Sequence, residues 1–173
     1  MHNHSAPPKK FSFEAKPHLL VVEARYYEEV SDHLFAGVQT VLDLNGASYD
    51  RLVVPGTFEI PAAITYAVKS LDYDPVRRRY EGYIALGCVI RGETRHDEII
   101  GNESARGLQD LATRYVLAIG NGILTVNNYE QAVARARVDG QNRGGHAAEA
   151  CLRMLEIKQH YRLASKRRWV ART

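Results

Sequence analysis

The chain has 173 residues, of which 45% are hydrophobic and 25% are charged. This composition is that of an ordinary globular domain, and it excludes wholesale disorder and the fibrous classes. The formal net charge is +3, with 23 Lys and Arg residues against 20 Asp and Glu residues. The two cysteines, Cys88 and Cys151, are too few for a disulfide framework and favour a reducing compartment.

The ends of the chain carry no signal for secretion or membrane insertion. No apolar stretch approaches the roughly 18 residues of a membrane span, and residues 1–17 lack the apolar segment of a signal peptide. We therefore expect a cytoplasmic protein with no membrane partner. We divide the chain into a flexible N-terminal arm (residues 1–17), a single domain (residues 18–160) and a basic tail (residues 161–173).

The tail contains basic residues and no acid: Arg162, Lys166, Arg167, Arg168 and Arg172. Such a segment is typical either of nucleic-acid binding or of the solvated C-terminal end of a helix. No interleaved aromatic pattern accompanies these charges, so the solvated helix end is favoured and we expect no nucleic-acid partner.

Apolar runs and apolar residues at helical spacing alternate along the chain. The apolar runs predict strands at residues 18–24, 51–54 and 83–90, and a fourth strand, broken by Gly120 and Gly122, that ends at Val126. The helical spacing predicts helices at residues 28–45, 61–71 and 96–115, and over the C-terminal third from Tyr129, interrupted by DGQNRGG. Asn45-Gly46 is a candidate C-cap, and Pro61 a typical first helical residue.

This alternation predicts a three-layer α/β/α sandwich with a central, mainly four-stranded parallel sheet. In such sheets ligands bind beyond the carboxyl ends of the strands. The segments that follow each strand are therefore the candidates for a functional site.

Aromatic and acidic side chains follow the first two strands. Of Tyr26 and Tyr27, one ring could stack on a heterocycle, or a tyrosine could pack under the following helix. Thr57, Phe58 and Glu59 precede a helix start, where backbone N–H groups can hold a polar ligand edge. Alternatively, Glu59 is only an acid that favours the helix dipole.

The third strand leads into GETRHDE, which lies between a buried strand and a helix N-terminus, as anion sites do. The GxxxxGK[ST] pattern is absent, so we do not expect hydrolysis of a nucleoside triphosphate. His96 is either a proton donor and acceptor near neutral pH or an ordinary surface residue. No other His or Cys lies at zinc-binding spacing from it, so we expect no metal. Cys88 is more typical of a small buried hydrophobe than of a catalytic thiol.

The fourth strand is followed by a helix that carries Arg135 and Arg137. Because the two arginines are two residues apart, they face different sides of that helix. Either could clamp a phosphate or lie on the surface.

The segments VPGTFEIP, GCVIRGETRHDEI, NES and GILTVNNYEQAVARA, in this order, resemble the 6,7-dimethyl-8-ribityllumazine synthase family. The resemblance covers about residues 18–155. It implies a flavodoxin-like transferase of riboflavin biosynthesis that condenses 5-amino-6-(D-ribitylamino)uracil with 3,4-dihydroxy-2-butanone 4-phosphate. The products are the lumazine, phosphate and water, and no metal or organic cofactor is implied.

The resemblance also implies roles for the residues at the strand ends. The substrate pyrimidine and ribityl chain would be held by Tyr26, Thr57, Phe58 and Glu59, and, mainly through backbone groups, by Cys88, Val89 and Ile90. The phosphate would be bound by Glu93 and Thr94 in the turn and by Arg135, with His96 as general acid and base.

Four positions depart from the family pattern. Asn121 stands where an aromatic residue is common, which predicts a more polar pocket wall. Glu93 and Arg95 stand where smaller residues are common, so Glu93 is expected to contribute its backbone N–H rather than its carboxylate. Arg143 replaces a lysine and keeps the charge.

The family forms pentamers with active sites between subunits, and some members stack into decamers or form sixty-subunit shells. By resemblance, Asn121 and Arg135 would come from one subunit and the other site residues from its neighbour. DGQNRGG matches the turn of the shell-forming members only in part, so we expect a homopentamer. One rival function is a flavin-type binding module, which Asn121 favours but which the presence of His96, the phosphate turn and Arg135 disfavours. The other is a structural scaffold whose basic tail holds cargo or nucleic acid.

Overall fold

Four strands and five α-helices make up the part of the chain that the computed structural model describes, residues 7–74, 76 and 79–163. The strands are β1 (His18–Ala24), β2 (Ser48–Val54), β3 (Gly82–Ile90) and β4 (Ala118–Val126). The helices are α1 (Glu28–Leu44), α2 (Ile60–Tyr73), α3 (His96–Arg114), α4 (Tyr129–Ala136) and α5 (Arg143–His160), with a 3₁₀ turn at Thr57–Glu59.

The strands form one parallel sheet in the order β2-β1-β3-β4. Apolar residues of α1, α4 and α5 pack on one face of the sheet, and those of α2 and α3 pack on the other. The predicted three-layer α/β/α sandwich is confirmed. Because the chain reverses direction across the sheet between β1 and β3, this is the doubly wound arrangement in which a crevice opens between these two strands.

The burial of each strand follows its position in the sheet. The central strand β1 is buried along its whole length, as its continuous apolar sequence predicts. The edge strand β2 is largely exposed and begins at Ser48, three residues before the predicted start. Its first residues are polar, so the apolar pattern did not indicate them.

The fourth strand is continuous, and the predicted break at its glycines is wrong. A Cβ at Gly120 would lie 1.9 Å from the carbonyl oxygen of Ala147 in α5, and one at Gly122 would lie 2.7 Å from Leu86 Cδ2. Glycine therefore lets α5 pack directly on the β4 backbone without interrupting the strand.

The interruption between the last two helices is shorter than DGQNRGG. It ends at Asn142, which caps α5 by accepting a hydrogen bond from the Gly145 N–H at 3.1 Å. Gly144 lies inside α5, where a Cβ would be 1.9 Å from the Leu34 carbonyl oxygen. This glycine allows α5 to approach α1 closely. The predicted C-cap of α1 is confirmed at Asn45, with Gly46 at φ +61°.

Residues 7–17 of the predicted arm contact the domain. The Lys9 N–H donates to Glu149 Oε1 at 3.1 Å, and the Phe11 N–H donates to Asn45 Oδ1 at 2.8 Å. Phe11 and Phe13 pack against the core on the α1 and α5 side. The sequence pattern did not indicate these contacts, and the domain boundaries stay predictions.

Of the predicted basic tail, Arg162 is described, whereas Lys166, Arg167, Arg168 and Arg172 lie outside the described residues. Within the described part of the chain, no helix is both long and apolar enough to cross a membrane.

Because α5 and β4 are in close contact, we expect one added methyl group at Gly120 to destabilise the fold strongly. Gly120→Ala should lower the free energy of unfolding by about 3 kcal/mol or prevent folding, because backbone atoms must move to admit the Cβ. Gly92→Ala is the control, since its Cβ would meet nothing within 4 Å. Urea denaturation of both variants measures the difference, and equal stabilities would contradict the prediction.

Candidate active site

At the crevice between β1 and β3, β3 extends beyond the end of its pairing with β1. The ladder between them ends at the pair Glu23 and Leu86, whereas the ladder from β3 to β4 continues to Ile90 and Val126. Among the described residues, the edge of β3 over residues 88–90 that faces β1 has no strand partner. Its backbone groups are therefore available to a ligand in the crevice.

A buried carboxylate organises the end of β1. Glu23 is 1% exposed, and its Oε1 accepts hydrogen bonds from Arg51 Nε at 2.8 Å and Arg51 Nη2 at 2.6 Å. Its other oxygen lies 3.4 Å from Arg25 Nη1. The Arg51 guanidinium also lies over the Phe35 ring, 3.6 Å from its centroid. This pairing compensates the buried charge and holds the backbone just before the crevice.

The tyrosine pair after β1 divides into an exposed ring and a packed ring. Tyr26 is 78% exposed, whereas Tyr27 is half-buried and contacts the Tyr129 ring at a centroid distance of 6.2 Å. The Tyr26 and Tyr27 rings meet edge to face at 4.9 Å. Tyr27 therefore takes the packing role, and Tyr26 is the ring available for stacking.

The 3₁₀ turn after β2 is anchored by its first residue. Thr57 is buried, and a Cβ at Gly87 would lie 2.8 Å from Thr57 Oγ1, so this threonine packs directly on β3. Its carbonyl oxygen accepts a hydrogen bond from Ser104 Oγ of α3 at 3.2 Å. Phe58 and Glu59 are exposed. The sequence analysis missed Ser104, because a single serine inside a helix carries no signal of this contact.

The turn between β3 and α3 is exposed and held by local hydrogen bonds. The Arg91 N–H donates to the Val126 carbonyl oxygen at 2.8 Å, which ties the start of the turn to β4. Thr94 Oγ1 accepts from the His96 N–H at 3.4 Å. Glu93, Thr94 and His96 are all exposed around this helix N-terminus, where backbone N–H groups favour an anion.

Asp97 is a second residue that the sequence analysis missed. Its Oδ1 accepts from the Gly92 N–H at 3.4 Å, so the carboxylate occupies one backbone donor of this turn. An acid in the first turn of a helix was the only available signal. A phosphate in this turn has to share or displace that carboxylate.

Cys88 is buried at the carboxyl end of β3, while Val89 and Ile90 beside it are half-buried. Burial raises the pKa of the Cys88 thiol to about 11. The thiol is therefore protonated at neutral pH, and the prediction of a small buried hydrophobe fits better than a catalytic nucleophile.

Within one chain, Asn121 lies away from the residues that border the crevice. It is exposed and pairs with Ala85 in the middle of β4, five residues before Val126, which is about 16 Å along the strand.

Arg135 is also apart from the crevice. It lies half-buried in the last turn of α4 and donates to the Gln131 carbonyl oxygen of its own helix at 3.1 Å. The α4 helix packs on the opposite face of the sheet from α3, which begins at His96. Arg137 is exposed and paired with Asp139 through contacts of 2.8 and 2.6 Å. Of the two arginines, Arg137 is therefore the surface residue.

The raised pKa of Cys88 predicts a pH-dependent stability. The folded chain holds the thiol proton more tightly than the unfolded chain, so this stabilisation is complete below about pH 9 and is lost as the pH rises toward 11. In Cys88→Ala the fall in unfolding free energy over that interval should be smaller, by up to about 2–3 kcal/mol. Urea denaturation of both proteins between pH 7 and pH 10.5 measures it, and parallel profiles would show the prediction to be wrong.

Comparison with known proteins gives one consistent result. The family model described as 6,7-dimethyl-8-ribityllumazine synthase matches residues 16–159. Proteins of that name from Bartonella tribocorum and Agrobacterium fabrum are 53% identical over 146 residues and 52% identical over 145 residues. Each alignment covers 84% of this chain, and 93% and 97% of the two relatives. The Sphingopyxis alaskensis protein of the same name is 50% identical over 144 residues, covering 83% of this chain and 96% of its own.

A match that spans the whole sandwich at this identity is decisive for the family. The chain belongs to the 6,7-dimethyl-8-ribityllumazine synthase family of riboflavin-biosynthesis enzymes.

Proposed function

We propose that the crevice between β1 and β3 condenses 5-amino-6-(D-ribitylamino)uracil with 3,4-dihydroxy-2-butanone 4-phosphate, releasing phosphate and water. The observation that carries the proposal is the convergence of three features in one crevice. These are the exposed Tyr26 ring, the open backbone edge of residues 88–90, and an exposed helix N-terminus that begins with His96. A planar heterocycle, its polar edge and a phosphate need these three features.

The pyrimidine is held between an aromatic ring and a strand edge. Tyr26 stacks on its face, and the backbone groups of Cys88, Val89 and Ile90 meet its polar edge. Phe58 and Glu59, exposed on the neighbouring turn, contact the ribityl chain. Thr57, which is buried, contributes backbone groups and the position of that turn.

The phosphate of the second substrate binds at the turn before α3. Glu93 contributes its N–H and turns its carboxylate away, because two negative groups repel each other. Thr94 contributes N–H and hydroxyl donors. Arg135, with a planar fork of donors that suits a phosphate, completes the site.

His96 relays the protons. Imine formation, loss of phosphate and ring closure each require a proton transfer, and an exposed imidazole at the crevice can serve all of them. Most of the acceleration comes from holding the two reactants together, since well-oriented partners reach effective molarities of about 10⁵ M or more.

The active site is completed by a second subunit of a homopentamer. Two observations support this proposal: α3 and α4 lie on opposite faces of the sheet, and Asn121 is exposed on the edge strand β4. A neighbouring subunit brings its Arg135 and Asn121 to the crevice of the first. We also propose a cytoplasmic location, which the two free thiols Cys88 and Cys151 support.

The roles of His96 and Arg135 predict losses of different size. His96→Ala should lower kcat/KM about 10–100-fold, because proximity supplies most of the catalysis. Arg135→Ala should lower it more than about 100-fold through the lost phosphate contact. The measurement is the absorbance of lumazine formed from the two substrates.

Arg137→Ala is the matched control, since Arg137 is paired with Asp139 on the surface and should retain full activity. A His96→Ala protein that loses 10⁴-fold contradicts catalysis dominated by proximity. A wild type with no rate above the uncatalysed reaction, but with bound flavin or lumazine, would instead identify a binding module.

A shared active site predicts complementation between inactive subunits. His96→Ala and Arg135→Ala chains unfolded together and refolded at equal concentrations should regain about a quarter of wild-type activity. In a random pentamer that is the fraction of interfaces with both residues intact. Analytical ultracentrifugation of the refolded mixture should show a pentamer. If His96 and Arg135 act within one chain, the mixture shows only the mean of the two variants.

A further inference from the structure

A second concave site lies at the opposite end of the sheet. A cavity of about 260 Å³ lies beside the residues that precede β3 and β4, below the C-terminal ends of α2 and α5. Its walls combine aliphatic, aromatic and cationic side chains: Leu117, Leu155, Tyr83, Tyr115, Arg79 and Lys158. Neither the family resemblance nor the proposed reaction uses any of these residues.

The acids that line this cavity are already engaged. Asp72 Oδ2 lies 3.1 Å from the ammonium of Lys69, and Glu81 Oε2 accepts a hydrogen bond from the His18 N–H at 2.7 Å. Among the described residues, neither Arg79 nor Lys158 forms an ion pair. The segments outside the description, residues 1–6, 75, 77–78 and 164–173, contain no Asp or Glu side chain. Glu81 keeps its negative charge near Lys158, but apart from the two lining acids no acidic side chain of the described residues forms an ion pair with either cation.

Lys158 is half-buried, so its charge is costly without a partner. Burial lowers the pKa of its ammonium, the charge of Arg79 lowers it further, and the nearby Glu81 carboxylate offsets only part of this effect. The C-terminal dipole of α5 offsets part of this cost, but a helix end carries only about half a negative charge. An anion in the cavity would compensate both cations.

The size and the remaining walls indicate what kind of anion fits. A volume of about 260 Å³ is slightly below the roughly 300–1,000 Å³ of pockets for drug-sized ligands, so it suits one ring rather than two. Tyr83 and Leu155 are buried and Tyr115 is half-buried, which gives a flat, largely apolar wall. Aromatic rings pack favourably on such walls.

We propose that this cavity binds a small aromatic carboxylate, with Arg79 and Lys158 holding the carboxylate and Tyr83, Tyr115 and Leu155 contacting the ring. The site is independent of lumazine synthesis, because it lies at the other end of the sheet from His96.

Three probes separate the charge from the ring. Calorimetric titration of the full chain with benzoate should give one site per chain. Benzyl alcohol, which has the ring without the charge, and acetate, which has the charge without the ring, should each bind at least about tenfold more weakly. Equal affinity for benzoate and benzyl alcohol, or no benzoate binding, would overturn the proposal.

Variants locate the binding. Lys158→Met keeps the apolar stem and removes the charge, so benzoate affinity should fall about tenfold or more. Arg153→Met removes a charge from the same helix at an exposed position paired with Glu156, and affinity should stay within about twofold. Both variants should form lumazine at the wild-type rate, which separates this test from that of the proposed reaction. A Lys158→Met protein with unchanged benzoate affinity would refute the site.

Discussion

The difference in length between two buried strands is the constraint on which the open backbone edge at the crevice depends. β1 and β3 pair through the core, but β3 continues for four residues beyond its last partner in β1, so its backbone borders an open space. The buried ion pair of Glu23 and Arg51 fixes the end of β1, and the packing of Thr57 on Gly87 fixes the turn beside it. The exposed site residues are thus carried on a rigid frame.

The sequence predicted those parts of the fold whose signal is local. Continuous apolar runs predicted the buried strands β1 and β3. The polar start of the edge strand β2 was not predicted, because an exposed strand needs no such run. The glycines of β4 were wrongly interpreted as a break in the strand. Gly120 lacks a Cβ so that the backbone of Ala147, which is distant in sequence, can pack against it. A contact of this kind leaves no pattern within the strand itself.

For the site, topology made the prediction possible, since residues that follow parallel strands gather at one edge. The roles of Tyr26 and Tyr27 were separable only once their exposure was known. Ser104 and Asp97 escaped because their contacts depend on packing. The two ends of the sheet also differ in construction. The crevice is made of loops that follow strands, whereas the cavity is made of helix ends about 25 Å away along β3.

The burial of both cysteines has a consequence for the reactivity of their thiols. The thiolate is the form that attacks peroxides and disulfides, and burial raises the pKa of Cys88 to about 11 and that of Cys151 to about 12. Neither sulfur therefore presents a reactive form at neutral pH. We therefore expect both thiols of the folded chain to react slowly with oxidants at neutral pH.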